Sequence, residues 1–279
     1  MTAVASVILP AHDEAGCIGG CLTALLESDP LPAGWRGEVI VVANGCRDDT
    51  AAIAGGFADT AAARGWDLRV IEEAQGGKLG ALNRGDGAAR GVVRIYLDAD
   101  VTVDPGLVPA LVAALDVGAP RLAGGRPRVS PPASPLTRAY ARFWQRLAFF
   151  NDPVPGFGIF AINAAGRGRW GKWPDVISDD TFARLNFARR ERVGVSAGYD
   201  WPMVEGFANL VRVRRRQDAG VAEIGERYPG LAVNAGAEAR GGAARQAWRD
   251  PLGFAVYAAV ALAVRTRLFS GGGNWARGR

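Results

Sequence analysis

Short apolar runs alternate with helical stretches in the first half of the chain, and this alternation limits the fold more than any other feature of the sequence. Four β-rich apolar runs lie at residues 4–9, 38–42, 68–71 and 92–97, and helical patterns fill residues 14–27, 48–64 and 78–90 between them. Strands that alternate with helices are typical of βαβ units. The sequence therefore predicts an α/β fold, with a mainly parallel, doubly wound sheet flanked by helices.

A group of prolines marks the end of this alternating series. Four prolines fall between residues 127 and 135, and we place a boundary there. The part that follows is less regular and contains an amphipathic, basic helical pattern at residues 136–150. Small and polar residues at 230–244 indicate a linker. We therefore divide the chain into residues 1–126, 127–229 and 230–279.

The last of these parts contains an apolar helix with a favourable start. Asp250 suits the N-cap and Pro251 the first helical position. The uncharged stretch at residues 251–264 would extend about 21 Å as a helix, short of the roughly 30 Å core of a bilayer. It should not cross a membrane alone. Two alternatives stay open, a helix in the membrane interface beside basic and tryptophan residues, or a buried core helix.

Composition excludes several classes of protein. His12 is the only histidine, which excludes a zinc site built on several histidines. The three cysteines have no C-x-x-C spacing and are too few for a disulfide framework, which indicates a reducing compartment. No basic segment precedes the first apolar run, so a cytoplasmic location is expected. The net charge of +5 suits phosphorylated small molecules, an anionic membrane or nucleic acid.

Two carboxylates follow the fourth apolar run. In an extended chain Asp98 and Asp100 share one face, at the carboxyl end of a strand, where open α/β sheets bind ligands. Close carboxylates repel each other unless a cation lies beside them. Carboxylates together with substrate phosphates are how Mg²⁺ is usually held, and Mn²⁺ would also fit. The alternative is a solvated turn rich in aspartate.

Four motifs in a fixed order extend this observation. They read V-A-S-V-I-L-P-A-H-D-E at residues 4–14, V-I-V-V-A-N-G-C-R-D-D-T at 39–50, G-G-K-L-G-A-L-N-R-G at 76–85 and D-A-D at 98–100. Together they resemble the family 2 glycosyltransferases of the GT-A fold, over most of residues 4–220. The resemblance implies a metal-dependent hexosyltransferase that moves a sugar from a nucleotide-diphosphate sugar to an acceptor hydroxyl, with inversion.

The resemblance also implies roles for individual residues. Nucleotide-sugar contacts map to Pro10, Ala11, Asp13, Glu14, Asn44, Lys78, Asn83 and Asp98. Asp98 would lie near the ribose and Asp100 on the metal, with both as candidate ligands of Mg²⁺ or Mn²⁺. The family usually has a base-contacting aspartate where this chain has Ala43, and this departure weakens the assignment of the base. A UDP-sugar is the favoured donor and a GDP-sugar the other candidate. The alternative for Asn44 is a simple turn with the glycine that follows it.

Two further segments match the family less closely. Ile177-Ser178-Asp179-Asp180-Thr181 resembles its acidic catalytic motif. Asp180 would then be the general base and Asp179 would orient the site. The alternative is that both aspartates cap a helix. Arg216 stands where processive members carry Q-x-x-R-W, but the glutamine and tryptophan are missing, which indicates a non-processive enzyme. Arg216 could still neutralise the departing diphosphate, and the alternative is a solvated basic face.

These implications give each part of the chain a role and leave some alternatives. Residues 1–126 would bind the nucleotide-sugar, 127–229 would form a smaller acceptor-side and catalytic subregion, and 230–279 would be a linker with the apolar helix. A sugar nucleotidyltransferase would instead need a glycine-rich, basic loop after the first strand, where this chain is acidic. A membrane-surface protein without catalysis is the other alternative. We expect an acceptor that is lipid-linked or a glycan, no nucleic acid, and a cytoplasmic location with peripheral contact to the inner membrane face left open.

Overall fold

A computed structural model describes residues 2–235, 243–266 and 269. Its strands are β1 Ala3–Ala11, β2 Trp35–Asn44, β3 Trp66–Glu73, β4 Val93–Leu97, β5 Thr102–Val103, β6 Leu122–Val129, β7 Ile159–Asn163 and β8 Arg192–Trp201. Its helices are α1 Ile18–Leu26, α2 Thr50–Gly55, α3 Ala58–Ala63, α4 Lys78–Ala88, α5 Leu107–Leu115, α6 Pro135–Trp144, α7 Ala164–Arg167, α8 Asp179–Leu185, α9 Phe207–Arg227, α10 Ala243–Ala247 and α11 Pro251–Val264. Short 3₁₀ turns occupy Ala148–Asn151, Arg189–Glu191 and Pro229–Asn234.

Within the described residues the strands form one eight-stranded sheet in the order β3-β2-β1-β4-β7-β6-β8-β5. The first four strands in this order are all parallel, as the alternating sequence predicted. Beyond them β7 is antiparallel to both β4 and β6, while β8 is parallel to β6. The α/β prediction is confirmed, and the uninterrupted parallel part of the sheet comes from the first half of the chain.

The apolar runs of β1 and β2 are continuous because both faces of the sheet are covered. Val7 and Leu9 face a core built with α1 and α5, whereas Ile8 packs in a second core that includes Tyr96 and Trp173. Side chains alternate between the faces of a strand, so a strand buried on both sides needs apolar residues at every position. This packing leaves the carboxyl ends of the strands to carry polar residues.

Two predicted helices are shorter in the structure than the sequence indicated. The pattern at residues 48–64 forms two helices, α2 and α3, because the chain breaks at Gly56. The pattern at 136–150 ends as a helix at Trp144 and continues as a 3₁₀ turn. The C-terminal helix is confirmed as α11, and its N-cap Asp250 accepts a hydrogen bond from the Gly253 amide at 3.0 Å.

The three predicted parts do not correspond to separate sheets. Residue 126 lies inside β6, which pairs with β7 and β8, so both larger parts contribute strands to the same sheet. In the third part, residues 236–242, 267–268 and 270–279 of the predicted linker and tail lie outside the described residues. Among the residues that are described, no helix has the length and hydropathy needed to cross a bilayer.

Candidate active site

A cavity of about 650 Å³ opens where β1 and β4 end. Its lining includes seven of the residues singled out from the sequence, namely Glu14, Lys78, Asp98, Asp100, Asp179, Asp180 and Arg216. The first four come from the first half of the chain and the last three from the second. The fold therefore brings the D-x-D pair, the acidic motif and Arg216 to one place.

Lys78 links the two acidic motifs. Its Nζ lies 3.0 Å from Asp98 Oδ1 and 3.1 Å from Asp179 Oδ2. Burial lowers the pKa of Lys78, but the charges of Asp179, Asp98 and Asp180 outweigh that effect and hold its pKa well above the ordinary lysine value. The ammonium therefore stays charged. Lys78 begins α4 directly after Gly77, whose φ of +147° a residue with a side chain rarely adopts.

Asp180 is held in one orientation by its neighbours at the start of α8. Its Oδ1 accepts hydrogen bonds from Ser178 Oγ at 2.6 Å and from the Thr181 amide at 2.7 Å. Burial and the negative charge of Asp179 raise the pKa of Asp180, although Ser178, Lys78 and Thr181 act in the opposite direction. Both aspartates also lie in the first turn of α8, as the helix-capping alternative predicted. A fixed carboxylate with a raised pKa is suited to general-base chemistry.

Gly156 closes the cavity beside this carboxylate. Its φ is +93°, and a Cβ built on it would lie 3.3 Å from the Cβ of Asp180. A side chain at this position would be strained and would crowd the aspartate. The glycine-aromatic stretch at residues 156–160 therefore lies directly against the acidic motif.

The cavity is strongly acidic. Among its described lining residues, six carboxylates (Glu14, Asp98, Asp100, Asp179, Asp180 and Glu205) accompany two cations, Lys78 and Arg216. A diphosphate entering such a site would meet net repulsion unless a cation came with it. Asp98 and Asp100 supply the hard oxygen donors that Mg²⁺ and Mn²⁺ prefer, and substrate phosphates commonly complete such a set. The donor set therefore fits a divalent ion.

A second acidic group lies nearby on the loops that follow β1 and β2. Within the described part of the chain, Asp13, Cys46 and Asp48 are the group of three potential ligands whose atoms all lie within 4.8 Å of one another. Their carboxylates already bind the protein. Asp13 Oδ1 accepts from the Arg47 amide at 2.5 Å, and Asp48 Oδ2 accepts from the Ala15 amide at 3.2 Å. These contacts shape the loop that carries Glu14.

Comparison with known proteins identifies the family. The family model described as "Glycosyl transferase family 2" matches residues 6–169, which is more than half of the chain. The chain belongs to glycosyl transferase family 2. Uncharacterized glycosyltransferases of Mycobacterium bovis and Mycobacterium tuberculosis are 34% identical to it over 121 residues, which is 43% of this chain and 48% of theirs. The chain thus spans about half the length of the curated relatives it matches.

Solved structures of other glycosyltransferases share the fold of this family 2 chain. The mannosyltransferase PcManGT of Pyrobaculum calidifontis, in complex with GDP-Man and Mn²⁺, is 21% identical with a TM-score of 0.60, over 96% of this chain and 76% of that one. Glucosyl-3-phosphoglycerate synthase of Mycobacterium tuberculosis, with Mn²⁺ and UDP-glucose, is 22% identical with a TM-score of 0.51, over 81% and 79%. TarS of S. aureus with UDP is 15% identical with a TM-score of 0.53, over 76% and 63%. The predicted GT-A fold is confirmed.

Some residues that the resemblance assigned to the nucleotide lie outside the main cavity of this family 2 glycosyltransferase. Pro10 lines a small adjoining cavity with Lys78 and Asp98. Ala11 is buried, and its carbonyl accepts a hydrogen bond from Asn44 Nδ2 at 2.8 Å. Asn44 is also buried, and its Oδ1 accepts from the Gly77 amide at 2.8 Å. In this structure Asn44 therefore joins the ends of β1 and β2 to the turn that precedes Lys78.

Asn83 likewise binds protein in this structure. Its Oδ1 accepts from the Trp173 amide at 2.7 Å, and its Nδ2 donates to the Trp173 carbonyl at 3.2 Å. Trp173 also donates from Nε1 to Asp86 Oδ2 at 2.7 Å. Sequence reasoning missed Asp86, which also binds Arg167 at 2.8 Å and accepts from the Tyr96 hydroxyl. Helix α4 therefore anchors the segment that leads to Asp179 and Asp180.

We expect the Asn83→Ala variant to lose about 1–3 kcal/mol of unfolding free energy, because both backbone groups of Trp173 lose their partner. Donor nucleotide affinity should change little. Denaturant unfolding and nucleotide titration would measure the two effects. Arg84→Ala is the matched control on the same helix, since Arg84 forms an exposed ion pair with Glu73 that contributes at most about 1 kcal/mol. A loss of nucleotide affinity with unchanged stability would contradict this account of Asn83 and favour a nucleotide contact.

Three consecutive arginines of α9, Arg214, Arg215 and Arg216, make different contacts. Arg216 lines the cavity. Arg214 donates to the Tyr257 hydroxyl at 3.2 Å, and Arg215 donates to the Thr266 carbonyl at 2.9 Å. Arg214 and Arg215 therefore attach α11 to α9, whereas Arg216 contributes to the cavity wall.

Aromatic side chains form another part of the cavity wall and pack in one apolar cluster with residues of α9. Phe157 and Trp201 line the cavity, with ring centroids 5.2 Å apart, and Trp201 stacks on Trp144 at 5.8 Å. The Tyr199 hydroxyl donates to the Phe157 carbonyl at 2.6 Å. Sequence reasoning did not place Phe157 or Tyr199 at the site. Their only signal was the glycine-aromatic composition of the stretch around Phe157.

Proposed function

We propose that this family 2 glycosyltransferase moves a hexosyl group from a nucleoside-diphosphate sugar to an acceptor hydroxyl. The observation that carries the proposal is the joining of Asp98 and Asp179 by Lys78 in one cavity. A donor site alone would not require the second acidic motif beside it. The acidic residues after β1 argue against a nucleotidyltransferase, which would hold a triphosphate there.

The donor would occupy the part of the cavity built by the first half of the chain. Glu14 and Asp98 line it, and Asp13 and Pro10 lie on the adjoining loop and small cavity. We propose a UDP-sugar as the donor, with a GDP-sugar as the other candidate. Support comes from the structural relatives, which were solved with UDP, UDP-glucose and GDP-Man.

Asp100 and Asp98 would hold a divalent ion, Mg²⁺ or Mn²⁺. When bound, this ion would neutralise charge on the diphosphate. Two of the structural relatives contain Mn²⁺, which supports the same chemistry here. The six carboxylates of the cavity lining give an independent electrostatic reason for a cation.

The chain's own residues then perform the transfer. Asp180 accepts the proton of the acceptor hydroxyl as that oxygen forms a bond to the anomeric carbon of the sugar. The bond from the anomeric carbon to the diphosphate oxygen breaks, and the nucleoside diphosphate leaves with the electron pair. Arg216 neutralises this leaving group. Displacement in one step inverts the anomeric configuration.

The remaining features of the proposal concern product and location. The missing glutamine and tryptophan around Arg216 support one transfer per binding event rather than polymer synthesis. The acceptor is a glycan or a lipid-linked hydroxyl, which the aromatic wall of Phe157 and Trp201 would suit. We propose a cytoplasmic location, where the three free cysteines would stay reduced.

A nucleotide panel tests the proposal directly. Uridine, guanosine, adenosine, cytidine and thymidine diphosphates would be titrated into the protein with Mn²⁺, with Mg²⁺ and with a chelator. We expect one base to bind in a metal-dependent way, and the matching sugar nucleotide to be hydrolysed or transferred. Nucleotide affinity that is the same with metal and with chelator would overturn the cofactor assignment. If no nucleotide bound at all, the proposed function would be overturned.

Transfer should also depend on pH through Asp180. The base acts only when deprotonated, and burial together with Asp179 raises its pKa from the ordinary aspartate value of 3.8. As pH falls, kcat/KM should therefore decrease along an acid limb that lies above that value. A rate profile at saturating metal would show it. An acid limb no higher than that of an exposed aspartate would contradict the assignment.

A further inference from the structure

One face of α11 is exposed and entirely apolar. Leu252, Ala255, Ala259 and Leu262 follow one another at spacings of three and four residues, which places them on one side of the helix. Leu252 and Leu262 are 64% and 63% exposed. The opposite side of α11 packs on α6 through Tyr257, whose ring centroid lies 5.8 Å from that of Tyr140 and 5.1 Å from that of Phe143. Val260 is buried in the same apolar cluster, which also contains residues of α9. The helix is thus fixed to the protein on one side and presents a hydrocarbon stripe on the other.

Cations and a tryptophan flank this stripe. Arg249 and Arg265, at the two ends of α11, are exposed, and Trp248 is 92% exposed. The sequence from residue 243 to the last residue contains six arginines, at 245, 249, 265, 267, 277 and 279, and a single acid, Asp250. That acid is buried and bound by Arg142 Nε at 2.7 Å. The exposed charged groups at the two ends of α11, Arg249 and Arg265, are therefore both positive.

We propose that α11 binds the surface of an anionic lipid bilayer, with the stripe of Leu252, Ala255, Ala259 and Leu262 lying in the interface. An apolar helix face bordered by arginine and tryptophan is the pattern that binds the boundary between headgroups and acyl chains. The length of α11 is too short to span a bilayer but sufficient to lie along one. Arginines at both ends of the helix would be attracted by anionic headgroups.

The same charges disfavour a second copy of this chain as the occupant. A closed dimer uses the same patch on both subunits, so two α11 helices would pack across a two-fold axis, either antiparallel or parallel. Antiparallel helices would bring Arg249 of each copy to Arg265 of the other, and parallel helices would bring each arginine to its own counterpart. Like charges would therefore meet at both ends in either arrangement. A bilayer with anionic lipids offers the opposite charge at the same places.

The attachment of α11 to α9 connects the proposed membrane-binding surface to the cavity. Arg214 and Arg215 fix α11 to the helix whose Arg216 lines the cavity. The aromatic side of the cavity is linked to α11 as well, because Phe157 and Trp201 pack in the same apolar cluster as Val260 of α11. A bilayer bound to α11 would therefore lie on the side of the protein that carries these aromatic residues. If the proposed function is correct, on which this step rests, the acceptor hydroxyl belongs to a membrane lipid rather than to a free glycan.

Vesicle co-sedimentation of the full chain tests the proposal. The vesicles would be phosphatidylcholine alone, or phosphatidylcholine mixed with phosphatidylglycerol. We expect binding to the mixed vesicles, weakened by added salt. The Leu252→Gln, Leu262→Gln double variant should bind at least about tenfold more weakly, since two apolar side chains leave the interface. Each of Arg249→Gln and Arg265→Gln should weaken binding about fivefold.

Val92→Gln is the matched control, because Val92 is 48% exposed and apolar but lies at the opposite, amino-terminal end of β4. It should bind vesicles as the unchanged protein does. Equal binding of the double variant, or no binding of the unchanged protein to mixed vesicles, would overturn the proposal. Light scattering that shows a dimer which the double variant separates would instead assign the stripe to a second copy. Nucleotide titration of every variant would separate the two proposals. A variant that loses vesicle binding but keeps nucleotide affinity tests the membrane surface without testing the proposed donor site.

Discussion

The Asp180→Asn variant is expected to bind the donor nucleotide with unchanged affinity and to lose about 10²–10⁴-fold in kcat. The amide is nearly isosteric with the carboxylate, and its oxygen can still accept the hydrogen bonds from Ser178 and Thr181. What it cannot do is accept the proton of the acceptor hydroxyl. Donor titration and steady-state transfer rates, measured on the same preparation, would separate binding from chemistry.

Asp175→Asn is the matched control for this experiment. Asp175 is an exposed aspartate in the same segment, four residues before the start of α8. Its change should leave kcat and donor affinity as they were. If Asp180→Asn retained most of its turnover, another group would have to be the base, and Asp179 would be the next candidate because its carboxylate lies in the same cavity.

The Asp100→Ala variant should lose metal-dependent nucleotide binding, and turnover should fall about 1,000-fold. If Asp100 is a ligand as proposed, its removal would deprive the cavity of the cation that offsets the carboxylates, and metal stabilisation of a leaving diphosphate is worth several kcal/mol. Calorimetric titration of the nucleoside diphosphate with and without Mn²⁺ would measure the binding term. Any nucleotide binding that remains in the variant should have the same affinity with and without Mn²⁺.

Asp48→Asn distinguishes this site from the other acidic group. Asp48 belongs to the loop group with Asp13 and Cys46, where it accepts backbone hydrogen bonds rather than lining the cavity. The variant should retain metal-dependent nucleotide binding even if the protein becomes less stable. If Asp48→Asn abolished that dependence and Asp100→Ala did not, the ion would belong to the loop group.

The sequence was sufficient to predict the features that are local. A run such as residues 92–97 indicates its own strand, and the position of Asp98 at its end follows from the strand alone. Helix α11 was predicted with its N-cap and both ends because Asp250, Pro251 and the uncharged stretch are adjacent in the chain. The GT-A resemblance depends on motifs of this local kind, which is why the fold could be predicted before the structure.

The features that sequence could not reveal depend on contacts between distant residues. Nothing in the segment around Trp173 shows that its backbone binds Asn83, ninety positions earlier in the chain. The resemblance assigns Asn83 to the nucleotide from its motif alone, and only the structure adds this contact with Trp173. The antiparallel insertion of β7 between β4 and β6 is equally invisible, because apolar residues at every position fit a buried strand of either direction.

The single sheet also restricts how this protein can move. A hinge between the first half of the chain and the second would have to separate β7 from β4 along the ladder from Val93 to Leu97. Breaking the hydrogen bonds of five residue pairs in a buried ladder would cost several kcal/mol, a large share of the free energy that a bound sugar nucleotide typically supplies. We therefore expect any closure over the substrates to come from connecting segments at the rim. Among these, the turn of Gly156, Phe157 and Gly158 contacts both the D-x-D pair and the acidic motif, through Asp98 and Asp180. We therefore expect the turnover rate to depend on the motion of this short loop rather than on the motion of two lobes.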